Sequence, residues 1–228
     1  MVIAINLLIL SLFVGNSNDS IKNEINKLLI CHHSESIYSK QYIYYYEDKN
    51  IDKIKSVDTS YFILVDKMIY QNPYNTERII NKDYAIEVNN KEKRIIVVKN
   101  DGDIQNDLKF EIFGINTINL FNNLANVKRE NKGNYILLSF IYEIGLYNKV
   151  EIEYDPLSCK VLSVTLNYFK NYASSENLSK TAPKVKIVYE FIEVKAEFKN
   201  RLKTDSYFTV KNNKLIPVEK YKHYEILY

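Results

Sequence analysis

The sequence predicts a mostly β protein of the α+β class, built around one antiparallel sheet. Apolar and polar residues alternate along at least five segments, and short polar turns separate consecutive segments. Tyrosine contributes 20 of the 228 residues, and aromatic and β-branched residues favour strands. Consecutive strands joined by short turns are typical of an antiparallel meander that packs one face. A chain of this length fits a single β domain.

The composition is that of a folded protein without a nucleic-acid surface. Hydrophobic residues make up 46% of the chain and charged residues 26%, which argues against disorder. The net charge is +3, and the charges are spread along the chain, whereas nucleic-acid binders concentrate lysine and arginine on one face. We therefore expect no nucleic-acid partner.

The N-terminus resembles a secretory signal. Residues 2–15 are apolar apart from Asn6 and Ser11, and the sequence then turns polar. This stretch is shorter than the roughly 20 residues that span a bilayer. The small residues Gly15 and Ser17 favour cleavage after residue 17. We expect a signal peptide over 1–17 and a single domain over 18–228; a buried N-terminal strand or helix is the alternative. No cysteine follows the apolar stretch directly, so we expect export without a lipid anchor.

Two amphipathic helices are predicted. Ile21, Ile25, Leu28 and Leu29 recur at helical spacing within residues 20–30. In the second segment, residues 115–127, apolar residues recur every three positions, which predicts another short helix.

The segment NKDYAIEVNNKEKRIIVV, residues 81–98, predicts a hairpin. Its first arm places Tyr84, Ile86 and Val88 on one face. In its second arm, residues 95–98, apolar residues do not alternate with polar ones, so we expect both faces of this strand to be covered. The later segments 136–142, 150–155, 162–168 and 185–191 predict four further strands. Glu151 and Glu153 alternate with apolar residues and are predicted to form a solvated strand face.

The sequence shows no catalytic motif, and we expect neither enzyme activity nor a cofactor. It contains no nucleophile turn and too few glycines for a phosphate loop. The stretch Cys31-His32-His33 lacks the spacing of a zinc site, for which about four converging ligands are needed, so we expect no metal. Whether Cys31 pairs with Cys159 stays open.

The predicted strands offer more apolar surface than two short helices cover. A strongly curved sheet reduces that surplus by bending and leaves room for an apolar cavity. The alternative is a plain protein core.

The order of elements resembles the periplasmic lipoprotein-carrier superfamily, the outer-membrane lipoprotein localisation factors A and B and their relatives. The resemblance covers roughly residues 20–200. It is carried by Pro73, Ile79-Ile80, Tyr84-Ala85-Ile86 and residues 95–98. The family's Ser-Asp-Gly turn is replaced here by Asn81-Lys82-Asp83, its strand tryptophan is absent, and no counterpart of its lid-holding arginine is evident. The resemblance implies an open, unclosed β-barrel with two or three short helices on its concave side.

We therefore expect an exported, soluble, monomeric, non-enzymatic carrier or chaperone of the periplasm. Its partners would be acyl chains of lipids or lipoproteins, together with donor or acceptor proteins at membranes. The alternative is a periplasmic or surface protein–protein interaction module with a solid core. The predicted cavity lining is Ile86, Val88, Ile136, Leu138, Ile152, Tyr154, Val164, Leu166, Ile187 and Tyr189.

Overall fold

A computed structural model of the chain describes residues 19–28, 36–47, 53–66, 68–73, 75–100, 111–112, 115–116, 119–169, 184–193 and 196–228. The predicted signal peptide, 1–17, and the stretch Cys31-His32-His33 lie outside these residues.

Helix α1 spans residues 19–28. The strands that follow are β1 (Ile37–Tyr46), β2 (Ile54–Val65), β3 (Met68–Gln71), β4 (Thr76–Ile80), β5 (Tyr84–Asn89), β6 (Arg94–Lys99), β7 (Glu111–Ile112), β8 (Ile115–Asn116), β9 (Leu124–Asn131), β10 (Ile136–Tyr142), β11 (Tyr147–Tyr154), β12 (Val161–Tyr168) and β13 (Lys184–Phe191). The C-terminal segment, residues 196–228, holds helix α2 (Ala196–Arg201) and strands β14 (Phe208–Lys211), β15 (Lys214–Pro217) and β16 (Glu225–Leu227). Short 3-10 helices occupy Asn119–Phe121, Thr204–Ser206 and Glu219–Tyr221.

Among the described residues, twelve strands form one curved, unclosed sheet, which confirms the predicted fold class. Their order is β16-β6-β5-β4-β3-β2-β1-β13-β12-β11-β10-β9. Neighbouring strands run antiparallel, except that β16 lies parallel to β6. Strand β1 lies at the middle and pairs with β2 on one side and β13 on the other. Its sequence, IYSKQYIYYY, is rich in the aromatic and β-branched residues that pack well on a pleated surface.

The two faces of the sheet carry separate cores. We call the face that holds α1 the front face; there Ile21, Ile25 and Leu28 pack with the inward side chains of β9–β13 and β1. We call the other the back face; there the C-terminal segment packs on β2–β6, burying Phe198, Tyr207, Phe208 and Tyr221. Because side chains alternate along a strand, each half of the sheet buries mainly one face.

The predicted helix over residues 115–127 is wrong. The chain forms strand β8, a 3-10 turn at Asn119–Phe121 and then strand β9. Asn123 has φ +55°, a left-handed conformation that asparagine tolerates and that ends the helical turn. The register of β9 against β10 passes from Asn126 to Leu124 and skips Ala125. This bulge puts Leu124 and Val127 on the same face of the sheet. The spacing of three residues between apolar side chains, which predicted a helix, is therefore produced by a bulged strand.

One further prediction about strand faces is corrected. In β6, Ile95 and Val97 are buried on the back face, but Ile96 is 40% and Val98 51% exposed on the front face. In β11, Glu151 and Glu153 alternate with buried apolar residues as predicted, and their side chains are 23% and 27% exposed. Both glutamates form ion pairs with lysines on the back face, at 2.6 Å to Lys149 and 3.4 Å to Lys186 respectively.

Candidate functional site

The front face from β1 to β9 is an apolar surface six strands wide. Its inward side chains stand directly opposite one another: Leu138 pairs with Ile152, and Ile152 pairs with Val164. All three are at most 1% exposed. Direct cross-strand neighbours have Cβ atoms about 5 Å apart, so the rows form continuous hydrocarbon.

Helix α1 lies on this surface by its apolar side. Ile21, Ile25 and Leu28 are spaced by four and three residues, so they form one stripe along the helix. All three are at most 4% exposed. The opposite side of the helix, including Lys22 and Asn23, is exposed.

A polar contact, which we call the latch, ties α1 to the sheet. Arg129 Nε on β9 donates to both carboxylate oxygens of Glu24, each at 3.0 Å. The hydroxyl of Tyr154 on β11 also donates to Glu24 Oε1. Burial, followed by the hydrogen bond to Glu24, raises the pKa of Tyr154 above its ordinary value. The phenol therefore stays protonated and remains a donor to the carboxylate.

A second contact holds the 3-10 turn beside α1. Tyr142 donates its hydroxyl proton to the backbone oxygen of Leu120 at 2.8 Å. The Phe121 ring stands edge-on to Phe140, with centroids 5.8 Å apart, and Lys22 Nζ lies 5.7 Å from the Phe121 centroid. The turn thus packs between the helix and β10.

The front-face core is bordered by apolar side chains that keep part of their surface exposed. They belong to the ends of β11, β12 and β13, to the start of β9 and to the 3-10 turn. Ile187, near the middle of β13, is also only half-buried. The bordering residues are Phe121, Leu124, Tyr147, Tyr168, Phe169 and Phe191.

The structure divides the predicted lining residues between the two faces. Eight belong to the front-face core: Ile136, Leu138, Ile152, Tyr154, Val164, Leu166, Ile187 and Tyr189. The other two, Ile86 and Val88, belong to the back-face core under the C-terminal segment. Part of the apolar strand surface that the two predicted helices could not cover is therefore covered by residues 196–228. The sequence analysis did not predict that this segment packs on the sheet.

The back face is closed by a polar network within the apolar core. Asn81 follows β4 and is 5% exposed. Its Nδ2 donates to the backbone oxygen of Leu202 at 3.3 Å and to Thr204 Oγ1 at 2.9 Å. Its Oδ1 accepts from the backbone N–H groups of Asp83 and Tyr84 at 3.0 and 2.9 Å. Asn81 thus anchors the C-terminal segment.

A second part of this network surrounds Glu77. The hydroxyls of Tyr70 and Tyr221 each donate to a Glu77 carboxylate oxygen at 3.2 Å. Arg201 donates to the Tyr70 oxygen at 2.5 Å. Burial first, and then the Glu77 charge, raise the pKa of Tyr70 to about 12. These groups satisfy one another, so the network is structural.

A cleft of about 600 Å³ lies where the β2–β3 and β4–β5 turns meet the C-terminal segment. Its charged side chains are exposed and balanced in sign, three lysines against three aspartates, so they select no ligand charge. The front face is therefore the stronger candidate site. The cleft is lined by Val65, Asp66, Met68, Asn81, Lys82, Asp83, Lys199, Leu202, Lys203, Thr204 and Asp205.

Sequence analysis missed Glu24 and Arg129, which make the latch. A signal existed for Glu24, an acid on the polar flank of a predicted amphipathic helix. Arg129 was hidden because its segment was partly assigned to a helix. Cys159 is buried in the front-face core, and Cys31 lies outside the described residues.

Within the described part of the chain, no three histidine, cysteine, aspartate or glutamate side chains converge as a metal site would require. In these same residues no helix has the length and apolar character needed to cross a membrane.

The chain matches no protein-family model and no curated protein. Solved structures align with most of it. An uncharacterised conserved protein from Thermus thermophilus aligns with a TM-score of 0.43 at 5% identity, covering 81% of this chain and 95% of that one. A LolA superfamily protein from Nitrosomonas europaea aligns with a TM-score of 0.30 at 9% identity, covering 79% of this chain and 97% of that one.

A putative outer membrane lipoprotein-sorting protein domain from Vibrio parahaemolyticus aligns at a TM-score of 0.31 and 15% identity, covering 78% of this chain and 97% of that one.

Proposed function

We propose that the protein is an exported, monomeric, non-enzymatic carrier that binds the acyl chain of a lipid or lipidated protein between α1 and the front face. The observation that carries the proposal is the way α1 packs on the front face. Helix α1 lies on an apolar surface six strands wide and is tied to it by the Glu24 latch. A helix held in this way can leave the surface without unfolding the sheet.

The energies of helix displacement and chain burial are comparable. Lifting α1 exposes Ile21, Ile25 and Leu28, at about 1.5–3 kcal/mol each, so roughly 5–9 kcal/mol in all. Burying a chain of about 15 methylene groups, at about 0.8 kcal/mol each, returns roughly 12 kcal/mol. An acyl chain can therefore displace the helix.

The proposal is tested with two adjacent substitutions on β13. Ile187 and Val188 are both half-buried, but Ile187 faces the front and Val188 the back. We expect Ile187→Asn to weaken uptake of the apolar dye N-phenyl-1-naphthylamine at least about fivefold, the equivalent of one lost apolar contact of about 1 kcal/mol. Val188→Asn is the matched control and should bind as wild type, provided that both variants give native circular dichroism.

Equal uptake by wild type and Ile187→Asn would show that the front face is not the binding surface. Native mass spectrometry of protein purified from its exporting host supplies a second measurement. Co-purified lipid supports the carrier, while a stoichiometric protein partner and no lipid supports the interaction module instead.

Export is tested separately. The mature protein should begin at Asn18, as read by N-terminal sequencing of the secreted or periplasmic fraction. An intact Met1 in that fraction would contradict cleavage.

A further inference from the structure

The front face of β1 breaks its own apolar pattern. Its inward positions read Ile37, Ser39, Gln41, Ile43 and Tyr45, so two polar residues stand where alternation calls for apolar ones. Such departures from a strand's local pattern are concentrated at functional positions. Across the strand pair, Gln41 stands directly opposite Ser60 of β2. We call Ser39, Gln41 and Ser60 the polar strip.

The polar strip is buried. Ser39 is 0%, Ser60 2% and Gln41 8% exposed. Apolar side chains flank it, because Ser39 stands opposite Phe62 on β2 and Phe191 on β13. Successive inward positions on one strand lie about 7 Å apart. The polar strip is therefore about as long as one small polar group of a ligand, and much shorter than an acyl chain.

The Ser39 hydroxyl is unsatisfied. Among the side chains that the structure describes, its Oγ is the one buried oxygen or nitrogen without a hydrogen-bond partner. An unpaired buried hydroxyl costs about 1–3 kcal/mol of stability. Ser60 Oγ makes a long contact of 3.5 Å to the backbone oxygen of Tyr61. The strip therefore holds donors that a bound molecule can use.

The surrounding charges favour a neutral ligand group. The next inward residue of β2 beyond Ser60 is Asp58, which is half-buried. Within these described strands, the inward positions from Ser39 to Ile43 and from Asp58 to Phe62 contain no lysine or arginine. Lys160 Nζ lies 5.0 Å from the Phe191 ring centroid, but Lys160 itself is exposed to water. A carboxylate buried beside Asp58 would carry a large desolvation cost, whereas an ester or amide carbonyl accepts hydrogen bonds without charge.

We infer that the polar strip receives the carbonyl of the ligand's acyl ester or amide linkage, with Ser39 as its principal hydrogen-bond donor. This inference rests on the proposed function, since it places the linkage of the same acyl ligand. Phe191 stands at the end of β13 and is half-buried, so its side chain has room to move aside and admit the carbonyl. The strip then distinguishes acylated molecules from plain hydrocarbons, and the apolar rows of β9–β13 hold the chain.

The test compares two matched probes on the full-length mature protein. 1-Monopalmitoylglycerol carries an ester carbonyl, and 1-O-hexadecylglycerol replaces it with an ether. Their Kd values are measured by displacement of N-phenyl-1-naphthylamine. One or two neutral hydrogen bonds correspond to a preference for the ester of about two- to tenfold or more. Palmitate, the carboxylate probe, should bind more weakly than the ester.

Ser39→Ala should remove most of the ester preference, leave the Kd of the ether unchanged and raise Tm, because the unpaired hydroxyl is gone. Ser163→Ala is the control, since Ser163 is 3% exposed on the back face and donates to Glu153. It should keep the wild-type ratio of the two Kd values.

Equal binding of ester and ether by wild type, or equal loss of both in Ser39→Ala, would overturn the inference while leaving the carrier intact. If the dye itself fails to bind, the carrier proposal falls and the inference with it.

Discussion

Arg129 on edge strand β9 and Glu24 on α1 form a two-point contact, with Nε 3.0 Å from each carboxylate oxygen. The Glu24 side chain is 17% exposed and that of Arg129 40%. The pair joins residues 105 positions apart and, together with Tyr154, connects the polar flank of α1 to the described part of the sheet. Opening of α1 therefore depends on a contact that single substitutions can remove.

Replacing Glu24 with Gln should loosen α1 without removing its apolar contacts. We expect dye uptake to become several-fold faster and the free energy of unfolding to fall by about 1 kcal/mol, since a partly exposed charged contact is lost. Stopped-flow fluorescence and urea unfolding measure the two quantities. Glu130→Gln is the control, because Glu130 lies on the same strand as Arg129 and forms an exposed pair with Lys132. Unchanged uptake in Glu24→Gln would show that the latch does not limit opening.

Asn81→Ala should destabilise the attachment of the C-terminal segment. The substitution removes four side-chain hydrogen bonds and leaves buried partners unpaired, at a cost of about 2–4 kcal/mol. Asn89 makes the same kind of turn, accepting from the backbone N–H groups of Lys91 and Glu92, but has no bond to the C-terminal segment. Asn89→Ala should therefore cost less. Urea unfolding and limited proteolysis after residue 196 measure both effects, and equal costs would contradict the anchoring role of Asn81.

The protein should lose stability steeply above pH 10. Burial raises the pKa of Tyr70 to about 12, and it raises the pKa values of Tyr142, Tyr207 and Tyr221 above their ordinary value as well. The folded state then binds more protons than the unfolded state between pH 10 and 12, so stability is complete below pH 10 and falls as the pH rises. Circular dichroism and phenolate absorbance should change together. Full ionisation of all tyrosines with the fold intact would contradict this assignment.

Ile96→Lys should be nearly neutral. Ile96 is 40% exposed on the front side of β6, next to Leu227 of β16 in the parallel pair. Substitutions at exposed strand positions usually change stability by less than about 0.5 kcal/mol. Ile95→Lys, one residue away on the buried face, is the contrasting variant and should unfold the hairpin, because Ile95 is 0% exposed. Urea unfolding of both variants measures the difference, and a large loss in Ile96→Lys would show that this position is covered.

Strand identity was accessible to sequence analysis because a period of two is a local property. Strands β10 to β13 contain the predicted alternations. The helix predicted over residues 115–127 was wrong because the prediction used only this local pattern. The bulge at Ala125 gives the strand a spacing of three residues, and local pattern alone cannot tell a bulged strand from a helix. The side chains of the site were predictable as apolar, yet the face each one occupies was not.

The sequence by itself determined the mostly β class, the antiparallel order of strands, the amphipathic α1 and the apolar character of the sheet, all of which follow from residue type and short-range period. Only the tertiary structure decided that Ile86 and Val88 lie on the opposite face from Leu138, that the C-terminal segment covers the back face, and that Arg129 meets Glu24. These facts depend on which strands become neighbours and on how the sheet curves. Both are set by contacts between residues far apart in the chain, which no local pattern encodes.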